Sequence, residues 1–189
     1  MTKALSLKEK FHKEIAPELQ KQLKVKNVNA VPKLTKIIIN VGIGKMLAGG
    51  KDFSDIEKNI TLISGQKPVV AKAKKAISNF KLRQGMPVGI HVTLRGQRMY
   101  DFVSKFVNIV LPRTRDFRGI SPRSFDGQGN YSVAIKEHTV FPEINADDII
   151  KQHGMQLTFV TSAKNNEDAL VLFKALGFPF QEKKDKQTK

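Results

Sequence analysis

The sequence predicts an α+β fold of two layers, in which a mixed or antiparallel sheet carries helices on one face and leaves the other face open and polar. Three observations predict it. Short segments alternate apolar with polar residues, as half-buried strands do. Between them, apolar residues recur every three or four positions, which is typical of amphipathic helices. Because each strand has one polar side, an all-parallel sheet covered on both faces is disfavoured.

The first element is predicted to be a helix over about residues 5–24. Ser6 and Glu9 have the spacing of a capping box, which marks a helix start. Pro17 is expected to kink or restart the helix, because proline has no N–H to donate and its ring clashes with the preceding turn. The apolar residues that step by four along one face are Leu7, Phe11, Ile15, Leu19 and Leu23.

Two strands are predicted most clearly, at Lys33–Ile43 and Val88–Arg95. In the first, the odd positions from Thr35 to Ile43 are expected to face the core. In the second, the even positions are expected to do so. The opposite sides would carry the polar residues Lys36, Asn40, His91, Thr93 and Arg95.

Three further helices follow along the chain. One begins near Phe53 and ends at Gly65, and the next spans Gln97–Leu111 and ends before Pro112. The last runs from Asn165 or Asn166 to a glycine and proline stop signal at residues 177–179.

Two weaker strands are expected around Tyr131–Ile135 and Met155–Phe159. The length of 189 residues suits a single domain. We expect that domain to span residues 1–180 and to be followed by a charged, disordered tail over 181–189.

Composition excludes several classes of protein. The chain has no cysteine, so disulfide scaffolds, cysteine-ligated zinc, iron–sulfur clusters and cysteine nucleophiles are excluded. No apolar run approaches the roughly 18 residues that a membrane span needs, and the mixed-charge start differs from a transit peptide. A cytoplasmic protein that does not insert into membranes is expected.

Net charge is the strongest signal in the sequence. Thirty-three Lys and Arg residues against 17 Asp and Glu give a net charge of +16. Between Leu19 and Lys51, and again between Lys58 and Tyr100, there are basic residues and no acidic ones. A merely solubilising surface normally mixes both signs. The distribution therefore favours binding to nucleic acid or another polyanion.

Motifs for catalysis or cofactor binding are not found. The glycine-rich stretch GIGKMLAGGK (42–51) fails the Walker pattern, because Lys45 stands where the first glycine belongs and Asp52 follows Lys51. The four histidines have no metal-site spacing, and no acid–base or nucleophile constellation stands out. We expect no catalytic residue, no metal, no cofactor and no small-molecule substrate.

A segment rich in lysine suggests an RNA contact. Around Phe80, a predicted basic hairpin at Lys72–Arg83 combines cations with one aromatic ring and no acid. That composition suits phosphate neutralisation together with base or ribose stacking. The alternative is a solvated hairpin whose Phe80 packs back on the body of the protein. The open, basic, hydrogen-bonding sheet face is the expected platform for RNA.

Long segments of the chain resemble one family, in order, from about Lys8 to Phe180. They are IIINVGIG (37–44), ISGQKPVVAKAKKAISNFKLRQGMPVG (63–89), VTLRGQRMYDF (92–102), LPRTRDFRGISPRSFDGQGNYSVAIKE (111–137), FPEI (141–144) and ALGFPF (175–180). The family is that of bacterial large-subunit ribosomal protein five, which binds 5S ribosomal RNA.

The resemblance implies a two-layer α+β ribosomal RNA-binding domain without catalytic activity, located in the central protuberance of the large subunit. It implies four partners: 5S rRNA, large-subunit rRNA, the elbow of P-site tRNA, and a small-subunit head protein that forms an intersubunit bridge. The residues implied for rRNA are Asn40, Gln66, Phe80 and Thr93, with Lys36 and Lys72 as phosphate contacts. Those implied for the tRNA-proximal loop are Lys74, Lys75, Lys81 and Arg83, and those for the bridge are Arg113, Arg115 and Arg118 in an arginine-rich loop over residues 112–130.

Other functions remain open from the residues alone. An RNA chaperone or translational repressor would use the same basic surface away from the ribosome. An enzyme acting on a nucleotide or phosphorylated substrate is disfavoured by the failed phosphate loop. Peripheral membrane binding is disfavoured because the basic residues lie on loops and strands rather than on a strongly amphipathic helix.

Overall fold

Five strands form one antiparallel sheet in the computed structural model, which describes residues 6–44, 53–80, 82–145 and 152–181. The strands are β1 (Leu34–Gly42), β2 (Val69–Lys72), β3 (Pro87–Leu94), β4 (Tyr131–Ile135) and β5 (Met155–Thr161). Their order is β2-β3-β1-β5-β4, and every pairing between them is antiparallel. The predicted α+β class is confirmed, and the sheet is antiparallel rather than mixed.

Helices form the second layer of the described chain. They are α1 (Leu7–Lys10, continued by a π-helical stretch Phe11–Ile15 and by Ala16–Gln22), α2 (Ser54–Ser64), α3 (Gly96–Lys105, continued by a π-helical stretch Phe106–Val110 and by Leu111–Arg113) and α4 (Asn166–Ala175). The capping box at Ser6 and Glu9 is present, and α2 ends at Gly65 with φ of +64°. Over the described residues, no helix is both long and apolar enough to cross a membrane.

Both π-helical stretches end two residues before a proline. Ala16 donates to the Phe11 carbonyl and Leu111 to the Phe106 carbonyl, so each widened turn closes one residue before Pro17 or Pro112. The wider turn accommodates the proline, which has no N–H and needs space beside the preceding turn. Pro17 therefore restarts a helical segment, as expected. The prediction that α3 ends before Pro112 is wrong by one short turn, since the helix continues to Arg113.

The start of β1 departs from simple alternation. Leu34 and Lys36 pair with consecutive residues of β5, so Thr35 is the extra residue of a β-bulge. Leu34 is buried and Thr35 is exposed, and the prediction that Thr35 faces the core is wrong. From Ile37 onward the alternation is regular, because the bulge ends there and each odd residue of the strand is buried.

The core lies between the helices and one face of the sheet. Phe159 of β5 contacts Phe106 of α3 with ring centroids 5.6 Å apart and Phe173 of α4 at 6.0 Å. Burying an aromatic or large aliphatic side chain contributes roughly 1.5–3 kcal/mol. The buried cluster takes in residues from Phe11 to Phe178. Alternate residues of the central strands β1, β3 and β5 are exposed or half-buried, so the layer of helices covers one face of the sheet and leaves the other to solvent.

Candidate nucleic-acid interface

The uncovered face of the sheet carries rows of side chains that cross it from strand to strand. In one row Val69, His91, Asn40, Gln156 and Ala134 lie opposite one another in the ladders of β2, β3, β1, β5 and β4. Asn40 and Gln156 are exposed, and His91 is partly exposed. Each of these positions alternates with a buried neighbour, so the pleat of the strands alone places the row on the open side.

A second row lies beside the first. Thr93, Ile38, Thr158 and Ser132 are opposite one another, and all four are partly exposed. The hydroxyls of Ser132 and Thr158 are 3.1 Å apart and share one hydrogen bond. Hydroxyls and amides that face solvent on a flat surface are suited to sugar hydroxyls and base edges of RNA.

Lys36, Asn40 and Thr93, which the sequence assigns to the polar strand faces, are all found on this open face. Lys36 lies at the end of the sheet opposite Val160 of β5. Gln66 is not on a strand. It lies in the loop after α2, where its backbone N–H and carbonyl both bond the Ser64 hydroxyl, at 3.2 and 2.9 Å.

The basic hairpin extends the ladder between β2 and β3. Ala73 N–H donates to the Met86 carbonyl at 2.7 Å, and Ile77 and Leu82 exchange two backbone hydrogen bonds of 3.0 and 3.1 Å. Every side chain from Lys74 to Phe80 is exposed. The alternative in which Phe80 packs back on the body is not what the structure shows, since Phe80 is 71% exposed.

The cations of the hairpin have no carboxylate partner in the described part of the chain. Ion pairs there are Lys58–Asp55 and Lys105–Glu143, and neither involves the hairpin. When unpaired, exposed lysines neutralise phosphates, the counterions condensed on the RNA are released, and this release is the main source of affinity for RNA. The exposed hairpin cations are Lys72, Lys74, Lys75 and Arg83, whereas Lys81 lies outside the described residues.

The arginine-rich loop lies at the other edge of the sheet, next to β4. Arg113 belongs to the last turn of α3, and Arg115 and Arg118 are exposed in the loop that follows. Phe125 forms a bridge with Tyr131, the first residue of β4. The predicted residues therefore fall in three parts of the structure: the open face, the hairpin at the β2 edge, and the arginine-rich loop, which reaches the β4 edge at Phe125.

Sequence reasoning missed part of the open face. Gln156, Thr158 and Ser132 complete the rows on β5 and β4, but the sequence predicted these two strands only from their apolar positions. The alternation itself was the available signal, because the residues between the apolar ones must face the other side. Among the described residues, no cluster of three or more His, Asp or Glu side chains has the arrangement of a metal site.

Comparisons with known proteins match nearly the whole chain. A family model described as "Ribosomal protein L5" matches residues 27–83, and one described as "ribosomal L5P family C-terminus" matches residues 87–180. The chain is 51% identical over 178 residues to the large ribosomal subunit protein uL5 of Symbiobacterium thermophilum, covering 94% of this chain and 99% of that protein. It is 51% identical over 176 residues to the uL5 protein of Trichodesmium erythraeum, covering 93% and 97%. With the uL5 protein of Thermotoga maritima it shares 51% identity over 178 residues, covering 93% and 95%.

Proposed function

Since the chain belongs to the ribosomal protein L5 family, we propose that it binds 5S rRNA through the open face of its sheet and helps attach that RNA to the large-subunit rRNA in the central protuberance. Membership of the family makes it a structural, non-enzymatic component of the large subunit of the cytoplasmic ribosome. The finer assignments to RNA and to partners are our proposal.

One observation carries this proposal: the polar face of the sheet is uncovered and runs directly into a hairpin of unpaired cations. On the face, Asn40 and Thr93 present hydrogen-bonding groups to solvent. At the edge of the sheet, Lys72 is the last residue of β2, from which the chain enters the hairpin. Hydrogen-bonding groups supply selectivity for RNA shape and 2′-hydroxyls, and cations supply affinity for phosphates.

The hairpin suits a second contact, with the elbow of P-site tRNA. Phe80 and the described cations Lys72, Lys74, Lys75 and Arg83 are exposed next to the edge strand β2, and nothing in the described part of the chain pairs with the outer side of that strand. The tRNA contact is assigned to Lys74, Lys75, Lys81 and Arg83. Phe80 in the hairpin and Gln66 in the loop between α2 and β2 are assigned to rRNA.

The opposite edge of the sheet suits a protein partner. Arg113, Arg115 and Arg118 are exposed between the end of α3 and the part of the loop that bridges β4 at Phe125. We assign them to the bridge with a small-subunit head protein. Residues 1–180 act in this proposal as one RNA-binding domain around one buried cluster, and the expected tail falls mostly outside the described residues, which end at Gln181.

Titration of the purified protein with 5S RNA over a range of salt concentrations, with bulk tRNA as competitor, tests the proposal. We expect tight binding that resists the competitor and falls steeply as salt rises. Equal binding to both RNAs would overturn the assignment to 5S rRNA and favour an RNA chaperone or repressor. Saturable ATP binding or turnover would point to an enzyme instead.

A further inference from the structure

The half of the open face formed by β1, β5 and β4 contains a pair of amides, of which Gln156 has no role in the proposed function. Asn40 and Gln156 are direct cross-strand neighbours, and both are exposed. Side chains opposite one another in an antiparallel pair have Cβ atoms about 4.5–5.5 Å apart. Neither carboxamide hydrogen-bonds to another described group of the protein. Two adjacent donor–acceptor pairs are therefore free to bind one external group.

A shallow depression of about 550 Å³ lies at this end of the face. Asn40 and Gln156 line it, with Ser132 in the neighbouring row and the exposed Lys136 just beyond the end of β4. Gly42 also lines it. Its lining thus combines two amides, the hydroxyls of two serines (Ser124 and Ser132) and one cation with small and apolar residues.

We propose that this depression binds a single unstacked nucleotide of the bound RNA. In this arrangement the carboxamides of Asn40 and Gln156 hydrogen-bond the edge of the base, and the ammonium of Lys136 contacts a phosphate. Carboxamides match the donor–acceptor patterns of base edges, and unstacked bases are the part of RNA that proteins read by sequence. The proposal rests on RNA binding by the open face and extends the proposed interface beyond Asn40, across β5 to the β4 edge.

Gly42, which lines the depression, is consistent with the close approach of a ligand. Gly42 does not have a positive φ, and a Cβ placed there would meet nothing within 4 Å. Neither backbone conformation nor packing within the described chain therefore requires glycine. Glycine weakens a strand, and one reason for its use is the close approach of a ligand. A larger side chain should fill the depression without disturbing the fold.

Binding of 5S RNA by the full chain, with tRNA as competitor, tests the proposal in three variants. Gln156→Ala should weaken binding by about 3- to 10-fold with no change in the salt slope, because a neutral hydrogen bond is lost. Lys136→Ala should lower the salt slope by about 0.7, the value of one phosphate contact. Gly42→Val should weaken binding by more than about 10-fold, since such a loss corresponds to excluding the whole nucleotide, while retaining the thermal midpoint.

Gln22→Ala is the matched control, because Gln22 is an exposed glutamine in the layer of helices on the other side of the sheet. Chemical footprinting of the RNA adds a second measurement. Gln156→Ala should expose one nucleotide that Gln22→Ala leaves protected. If the wild type prefers 5S RNA but Gln156→Ala and Gly42→Val both bind like the control, the nucleotide site is wrong and the proposed function stands. If the wild type shows no preference, both fail.

Discussion

The basic hairpin and the arginine-rich loop lie at opposite edges of the sheet and are held in different ways. In the hairpin, backbone hydrogen bonds such as that from Ala73 to Met86 set the conformation, and the side chains of the tip are exposed. The arginine-rich loop is anchored by side chains. The ring of Phe125 lies 4.8 Å from that of Tyr131 and 6.1 Å from that of Phe180.

Backbone contacts to the end of the chain anchor the loop further. Ile120 donates to the Pro179 carbonyl at 2.8 Å, and Gln181 donates to the Ile120 carbonyl at 3.0 Å. The difference shows that two cationic, irregular segments of one protein have separate physical roles. The arginine-rich loop contributes side chains to the core and is anchored there. The hairpin contributes almost nothing to the core, and its described cations are exposed to solvent.

The largest difference should appear in stability when each segment loses its phenylalanine. Phe125→Ala removes contacts with the rings of Tyr131, Phe173 and Phe180, and should lower the free energy of unfolding by about 2–4 kcal/mol. Phe80→Ala removes an exposed side chain and should change it by less than about 0.5 kcal/mol. Urea unfolding of both variants measures this. Equal losses would mean that the hairpin is part of the core.

Removing positive charge should weaken RNA binding more in the hairpin than in the arginine-rich loop, which is the opposite of the order expected for stability. The triple variant Lys72→Ala, Lys74→Ala and Lys75→Ala should lower the salt slope of RNA binding, by about 0.7 for 5S RNA through Lys72 and by about 1.4 for tRNA through Lys74 and Lys75, since each phosphate contact contributes about 0.7. The matched triple variant with alanine at Arg113, Arg115 and Arg118 should leave that slope nearly unchanged and weaken association of the ribosomal subunits. Equal slopes for both variants would contradict the division of roles.

How far the sequence predicts these two segments depends on what holds each one. The four helices, four of the five strands and the outward-facing polar positions Asn40 and Thr93 follow from local alternation and periodicity. The edge strand β2 was not predicted, because its four residues show no regular alternation of buried and exposed positions. The anchoring of the arginine-rich loop does not follow from local periodicity either, because Phe125, Phe173 and Phe180 are distant in sequence and meet only in the folded protein.

The errors at Thr35 and Pro112 have a related cause. The bulge in β1 adds one residue to the strand, and the widened turn in α3 adds one residue to a helical turn. Rules for regular strands and helices do not predict such an extra residue. On the open face, the sequence predicts interface residues on β3 and β1, of which Asn40 is the last, and none on β5 or β4. The contribution of β5 and β4 was not predicted, because periodicity alone does not show that β5 pairs with β1 and that β4 pairs with β5.

A smaller and pH-dependent effect should come from the phenol that anchors the loop. The Tyr131 hydroxyl donates to the Ser121 carbonyl at 2.8 Å, so Tyr131→Phe should cost about 1 kcal/mol near neutral pH. Burial raises the pKa of Tyr131 from 10.0 to about 12. The stability that Tyr131 contributes is therefore fully present below pH 10.0 and is lost progressively between pH 10.0 and about 12, because the phenol ionises at lower pH in the unfolded chain than in the folded protein.

Urea unfolding of both proteins at neutral pH and within that alkaline window measures the difference. The advantage of the wild type over Tyr131→Phe should narrow as the pH rises. Tyr100, whose pKa burial also raises, is present in both proteins and its contribution cancels. An advantage that stays constant across the window would mean that Tyr131 does not ionise differently in the folded and unfolded states.

The smallest effect should come from the turn that closes the loop before β4. Asp126 accepts hydrogen bonds from the side chain of Asn130 and from the backbone N–H groups of Gln128 and Asn130, and the Asn130 side chain holds the pKa of Asp126 below its usual value. This contribution is present above pH 3.8 and lost as pH falls further. Asp126→Ala should lower the thermal midpoint by about 1–3 °C at neutral pH, and less in acid. In the hairpin, Asn79→Ala should change it at neither pH, because the exposed Asn79 bonds no described group. Equal shifts would show that the hairpin, too, is held by its polar side chains.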